Sequence, residues 1–240
     1  AEDGIRYHCV TGVLTCALPI LSRYAEELGA DAVVHTIPEG LLPAPGQSHA
    51  DFVVAYFQRL CAAVSCPVLF YQPPKTREEY CITPESLVQL AGIDNLVGGK
   101  VSTNDAYYLF VLIRAVKDQS FGFIAGSEMA FYAALMAGAT ACIGQGTTVN
   151  PQIIRAVQDR FLAGNLEGVI EAQQDTIDLV RYCPNAVDFL KTYAREKGFE
   201  MWLSARSMAG NPYMQERDPI TREEYETYKK RYESTLAKYR

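Results

Sequence analysis

From residue 30 to about 150 the chain alternates short apolar runs with stretches of helical spacing. The runs are ADAVVHTIP (30–38), PVLFYQPP (67–74), NLVGGKVS (95–102), FGFIAGSE (121–128) and ATACIGQGTT (139–148). They are rich in Val, Ile and Phe and bounded by Gly or Pro, as expected of buried strands in a parallel sheet. Between them helices are predicted at about 50–65, 84–92, 104–117 and 128–137. Thr83-Pro84-Glu85 supplies an N-cap followed by Pro at the first helical position. After residue 150 the strand pattern stops, and helices are predicted at 151–163, 165–182, 185–198 and 222–239. The last is charged, carries a capping box Thr221-x-x-Glu224, and reads as a solvated helix face.

Alternating strands and helices mean an α/β fold with right-handed crossovers. An eight-stranded α/β barrel needs about 250 residues, and each unit takes roughly 30. Five clear strands do not close such a barrel. Either the sheet is open and doubly wound, or a barrel has lost its beginning.

Composition narrows the function classes. Lys+Arg 22 against Asp+Glu 28 gives a net charge of −6, and 49% of residues are hydrophobic. This is a globular composition whose acidity argues against nucleic-acid or anionic-membrane binding. No run of about 18 apolar residues suggests a membrane span, and the start lacks a signal-peptide pattern, so a cytoplasmic protein is expected. The seven cysteines (9, 16, 61, 66, 81, 142 and 183) include no CxxC pair and read as reduced, buried thiols. His8, His35 and His49 show no ligand spacing, so no metal is expected.

Two residues carry candidate chemistry. Lys100 sits within the apolar run Val97-Gly98-Gly99-Lys100-Val101, where the glycines let something approach the backbone closely. A lysine there loses hydration, which lowers its pKa and makes its amine a nucleophile. The bland alternative is a lysine reaching to solvent at a strand end. Tyr71 ends the preceding run and could relay protons to an amine or carbonyl. Its bland alternative is a core tyrosine with a satisfied hydroxyl.

YQPP followed 29 positions later by the lysine of GGK resembles the YNxP…GxK pair of the N-acetylneuraminate lyase / dihydrodipicolinate synthase family. RYAEELGADAV (23–33), PESLVQLAGIDNLVGGK (84–100), GSEMAFYAALMAGA (126–139) and CIGQGTTVNP (142–151) extend the resemblance from about Leu21 to the C-terminus. It implies a (β/α)8 barrel with C-terminal helices and class I aldolase chemistry needing no cofactor. Lys100 would form a Schiff base with pyruvate or another 2-oxo acid, and Tyr71 would shuttle protons. Gly144 and Gln145 match positions beside the bound substrate, Ser102 a position facing its tail, and Glu128 one that binds hydroxyls of longer sugar acids. A homotetramer is the implied assembly.

The departures from the family pattern matter as much. Synthase members carry Gly-Arg after YNxP to hold a substrate carboxylate, whereas this chain reads YQPPKT, with Lys75 the nearest cation. The polar run Ser102-Thr103-Asn104-Asp105, with Glu128, suits a polyhydroxylated sugar acid. The family's second tyrosine is absent from Thr36-Ile37-Pro38-Glu39-Gly40, and no Gly-Thr-Thr turn follows a second strand. The first three strands of a barrel are therefore expected to be missing.

Residues 10–20, VTGVLTCALPI, resemble a translated sequencing-library adapter, VTGVQTCALPI, differing at Leu14. The expected organisation is a non-native segment at 1–20, a partial β/α barrel at 21–150 and helices at 151–240. The alternative is a genuine strand near 7–14 followed by a helix from about 17. A barrel without its first strands exposes parallel edges, so poor solubility or inactivity is expected. Two functions remain: a lyase or aldolase joining or releasing pyruvate and an aldehyde (with dehydration of a 2-keto-3-deoxy acid or dihydrodipicolinate synthase-like condensation as near alternatives), or a non-catalytic binding homologue or inactive fragment.

Overall fold

The computed structural model describes residues 18–148, 151–203 and 218–239. The proposed strand near 7–14 and most of the adapter-like segment lie outside the described residues. The chain divides into two compact units, one comprising residues 1–102 and 110–124, the other 103–109 and 125–240.

The first unit holds four strands, β1 (Val33–Thr36), β2 (Val68–Gln72), β3 (Leu96–Val101) and β4 (Gly122–Ala125), lying side by side in chain order. β4 ends one residue past the unit boundary. β1, β2 and β3 pair in parallel. Helices α1 (residues 18–27), α2 (His49–Cys61) and α3 (Pro84–Ala91) precede β1, β2 and β3 respectively. Every predicted strand is present but shorter than its apolar run.

Local chemistry sets these boundaries. Ser48 caps α2 by accepting the Asp51 amide, and Thr83 and Ser86 form a reciprocal capping box ahead of Pro84. The Asn95 amide donates to the Cys61 and Val64 carbonyls, closing the end of α2 just before β3. The core between sheet and helices contains Phe57, Val68, Phe70, Leu87, Leu90 and Val101, none of them measurably exposed. β1 departs from the expected two-sided burial, since Val33 and His35 are buried while Val34 is exposed. His35 meets Ser22 of α1 at 2.7 Å, and the Ser22 hydroxyl donates onward to the Leu18 carbonyl at 2.8 Å.

The second unit takes in the start of α4 (Ala106–Ala115), a short strand β5 (Ala141–Cys142), and helices α5 (Phe131–Ala137), α6 (Gln152–Leu162), α7 (Leu166–Tyr182), α8 (Ala186–Glu196) and α9 (Arg222–Leu236). The predicted helix at 128–137 starts instead as a 3-10 turn, Glu128–Ala130.

The last helix overturns the expectation of a solvated face. Thr221 and Glu224 do form the predicted capping box. Yet Tyr225, Tyr228, Tyr232 and Leu236 are buried, packed with Phe189 and Tyr193 of α8, Leu179 of α7 and Ile153 of α6. Spacings of three and four residues put them on one stripe of α9. Phe189 lies edge-to-face with Tyr228 at 4.5 Å and Tyr232 at 5.0 Å, and the Tyr228 hydroxyl donates to the Leu179 carbonyl at 2.6 Å.

The five described cysteines are thiols rather than disulfides; Cys61 is buried and Cys66, Cys81, Cys142 and Cys183 are half-buried. No described helix is long and apolar enough to cross a membrane.

Candidate active site

Tyr71 and Lys100 are register partners on the adjacent parallel strands β2 and β3. Paired residues of neighbouring strands share a face, so the two side chains meet there. The Lys100 ammonium lies 4.5 Å from the centre of the Tyr71 ring, within the range of a cation–π attraction. Both are half-buried.

An irregularity in the ladder creates this pairing. Val68 faces Leu96, but Leu69 faces Gly98, so Val97 is passed over. Without that extra residue Tyr71 would face Gly99, and Lys100 would be carried to the opposite face. The glycines make the bulge possible. A side chain on Gly98 would come within 2.6 Å of the Gly122 carbonyl, and one on Gly99 would come within 2.2 Å of the Phe70 ring. The close approach inferred from the Gly pair is thus made by the protein's own backbone and core.

Ser102 follows β3, and its hydroxyl lies 3.5 Å from that of Tyr71. Gln72 points to the other face, where its side-chain oxygen accepts the Ile82 amide at 2.9 Å. This buried anchor fixes the end of β2 and was not anticipated from sequence. The structure therefore brings together Tyr71, Lys100 and Ser102.

The polar run after Ser102 builds a turn. The Thr103 hydroxyl accepts the Asp105 amide, and Asp105 accepts the Tyr108 amide in the first turn of α4. The Asn104 side chain accepts from the Ser127 hydroxyl.

Glu128 and Gly144 form a second cluster. Glu128 is buried, and its Oε1 accepts the Gly146 amide at 3.0 Å. A Cβ on Gly144 would fall 2.0 Å from Glu128 Oε2. Gln145, between these glycines, is exposed. Gln173 of α7, also missed by sequence reasoning, holds the backbone beneath Glu128. It donates to the Glu128 carbonyl at 2.9 Å and the Met129 carbonyl at 3.3 Å, and accepts the Tyr132 amide at 2.8 Å. A buried Gln with both ends engaged supplies partners that the first turn of α5 lacks.

After YQPP, Lys75 is exposed with φ +61°, the only non-glycine in the left-handed region among the described residues. The nearby Arg77 guanidinium bonds the Glu39 carbonyl at 2.5 Å and lies 3.4 Å from the Glu39 carboxylate.

The chain resembles known proteins in sequence and in fold. Residues 15–222 match the description "Dihydrodipicolinate synthetase family". An uncharacterized DapA-like lyase of Halobacterium salinarum is 31% identical over 67% of this chain and 50% of its own length. A 4-hydroxy-tetrahydrodipicolinate synthase of Archaeoglobus fulgidus is 26% identical over 61% of this chain and 48% of its own. The chain thus spans about half the length of the curated relatives it matches. Among solved structures, the E. coli K12 protein YagE in complex with pyruvate gives a TM-score of 0.73 at 17% identity, covering 91% of this chain and 70% of that one. N-acetylneuraminate lyase from Mycoplasma synoviae gives 0.66 at 21%, covering 92% and 69%. These likenesses show the fold, that of the β/α barrels of this family, and the sequence expectation of a barrel type with C-terminal helices holds.

Proposed function

The chain belongs to the dihydrodipicolinate synthetase family, and on that premise we propose that it is a Schiff-base-forming lyase or aldolase. Its substrates would be pyruvate, or a related 2-oxo acid, and an aldehyde, joined or released as a 2-keto-3-deoxy or sialic-acid type sugar acid. The observation that carries this reading is the register pairing of Tyr71 with Lys100 at the ends of two adjacent parallel strands. Strand ends of this type are where barrel enzymes place reacting groups.

In the proposed cycle the neutral amine of Lys100 adds to the ketone of the 2-oxo acid, and loss of water gives the imine. Protonated, that imine accepts the electron pair released when the bond between the α- and β-carbons of the aldol breaks, yielding an enamine and the aldehyde. Tyr71 relays a proton, accepting that of the aldol hydroxyl as its own phenolic proton passes on to the enamine carbon, and the relay runs backwards in the condensation direction. Protonation of the enamine carbon and addition of water then free pyruvate and the amine. Ser102, close to the Tyr71 hydroxyl, would face the aldehyde portion. Gly144 and Gln145 are assigned by resemblance to positions beside the 2-oxo acid, and a homotetramer in the cytoplasm is the assembly proposed with them.

Synthase names among the relatives favour a second reading, condensation with an aldehyde that itself carries a carboxylate. Against it, Lys75-Thr76 stands where synthase members have Gly-Arg, and Arg77 is engaged by Glu39. Comparing turnover of aspartate semialdehyde with that of 2-keto-3-deoxy acids separates the two.

The primary test is borohydride reduction in the presence of pyruvate, followed by peptide mass mapping. A stable adduct on the peptide containing Lys100 is expected, and none in the Lys100→Met variant. Labelling at another lysine, or none in the folded chain, refutes the assignment.

A further inference from the structure

Glu128 is linked by resemblance to sugar hydroxyls, but its contacts in this fold describe a different task. It is 8% exposed. Oε1 accepts the Gly146 amide at 3.0 Å, and Oε2 sits where a side chain on Gly144 would begin, 2.0 Å from that notional carbon. The carboxylate is thus applied to both glycines of the Gly144-Gln145-Gly146 turn. Its own backbone is held from behind by Gln173, a 7%-exposed residue of α7. The sequence of contacts runs from α7 through Gln173 and Glu128 to the turn, by a buried hydrogen bond to the Glu128 carbonyl and a half-buried one to the Gly146 amide.

We propose that Glu128 is a positioning residue that fixes the Gly144–Gly146 turn, rather than a receptor for substrate hydroxyls. A buried carboxylate keeps its charge at least cost by accepting backbone N–H groups, and a glycine-rich turn has too many conformations to hold one shape unaided. Gly144 follows from the same contact, because any larger residue would displace the carboxylate. The consequence for substrate, though not the contact itself, rests on the reading proposed above. If the turn borders the 2-oxo acid, loosening it weakens binding of the 2-oxo acid and leaves the aldehyde portion unaffected.

Hydrogen–deuterium exchange at the Gly146 amide tests the contact without any catalysis. Glu128→Ala should raise its exchange rate at least ten-fold while melting stays cooperative. Glu128→Gln, which keeps an acceptor oxygen in reach, should raise it only a few-fold and serves where the alanine variant does not fold. Unchanged protection in both variants overturns the proposal. A double-mutant cycle adds an independent check, in which Gly144→Ala lowers the melting temperature of the parent but far less that of Glu128→Ala. Equal losses in the two backgrounds also overturn it.

Kinetics then separate positioning from recognition. The pyruvate concentration giving half-maximal trapping of Lys100 should rise at least ten-fold in Glu128→Ala and recover in Glu128→Gln, with KM for the aldehyde unchanged. A rise confined to the aldehyde KM makes Glu128 a hydroxyl receptor and overturns the proposal. If the parent traps no pyruvate, the proposed lyase function fails, while exchange and the mutant cycle still decide the role of Glu128.

Discussion

Tyr71 and Lys100 meet because two parallel strands are in register, whereas Glu128 and Gly144 meet because a side chain spans to a turn. The first arrangement is written in backbone hydrogen bonds. Shifting it requires moving a strand, and one residue of slip would send Lys100 to the other face. The second depends on one carboxylate and on the Gln173 amide beneath it. A strand-built pair suits residues that must hold reacting atoms in place. A turn held by a side chain suits a segment that must settle around a ligand.

The largest expected effect breaks the strand-built pair at its chemistry. Tyr71→Phe keeps the ring beside Lys100 but removes the proton carrier. Turnover should fall by about 10²–10⁴-fold, the usual worth of general acid–base catalysis. Borohydride trapping of pyruvate on Lys100 should persist. Full turnover in the variant would reduce Tyr71 to a packing residue.

Next come the two glycines. The notional side chain of Gly99 meets the Phe70 ring at 2.2 Å, and that ring is fully buried between Phe57 and Phe121. Gly144 meets the far end of the Glu128 side chain, which can rotate. Gly99→Ala should therefore destabilise by about 1–3 kcal/mol or more, and Gly144→Ala by less. Urea denaturation of both variants measures the difference, and the reverse order would mean that the turn, not the strand pair, is the rigid element.

A third prediction probes β1, the outer strand of the same region. The Ser22 hydroxyl gives its one proton to Leu18, so His35 must donate from Nε2. Burial desolvates the ring and lowers its pKa below the ordinary 6.5. On acidification the unfolded chain then binds a proton before the folded chain does. Stability is fully present above the ordinary histidine value and is lost as pH falls below it, with a slope bounded at about 1.4 kcal/mol per pH unit. His35→Gln retains a donor to Ser22 and should flatten the melting temperature between pH 7 and 5. An unchanged slope would place the acid sensitivity elsewhere.

These contrasts explain what could be read from the chain alone. The strands and the Tyr71–Lys100 pairing were legible because apolar runs bounded by Gly and Pro mark strands, and because YQPP…GGK is a specific spacing. The bulge at Val97 was not, since register is decided by pairing rather than by composition. Gln173 was hidden for a related reason, as a side chain that bonds backbone 44 or 45 residues away leaves no periodic trace, and Glu128, though singled out by resemblance, gave no sign of its bond to the Gly146 amide. The α9 stripe was not legible because its tyrosines are interspersed with Glu, Lys and Arg, which mark the segment as charged. A tyrosine ring carries enough apolar surface to bury, provided that the hydroxyl finds an acceptor, as Tyr228 does at Leu179.

The smallest effect lies in the turn that follows β2. Lys75 holds φ +61°, a conformation that costs a side-chain-bearing residue about 1–2 kcal/mol and glycine almost nothing. The resemblance implies glycine at this place in synthase members, and glycine suits this backbone where lysine does not. Lys75→Gly relieves the strain but gives the unfolded chain more freedom, and the net gain should be about 0.5–1 kcal/mol. The same substitution removes the exposed ammonium nearest Tyr71 in sequence. A stabilised variant with unchanged KM for sugar-acid substrates would mean that the lysine is tolerated at this turn without serving it. A stabilised variant with a raised KM would mean that the strain is maintained because the charge is used.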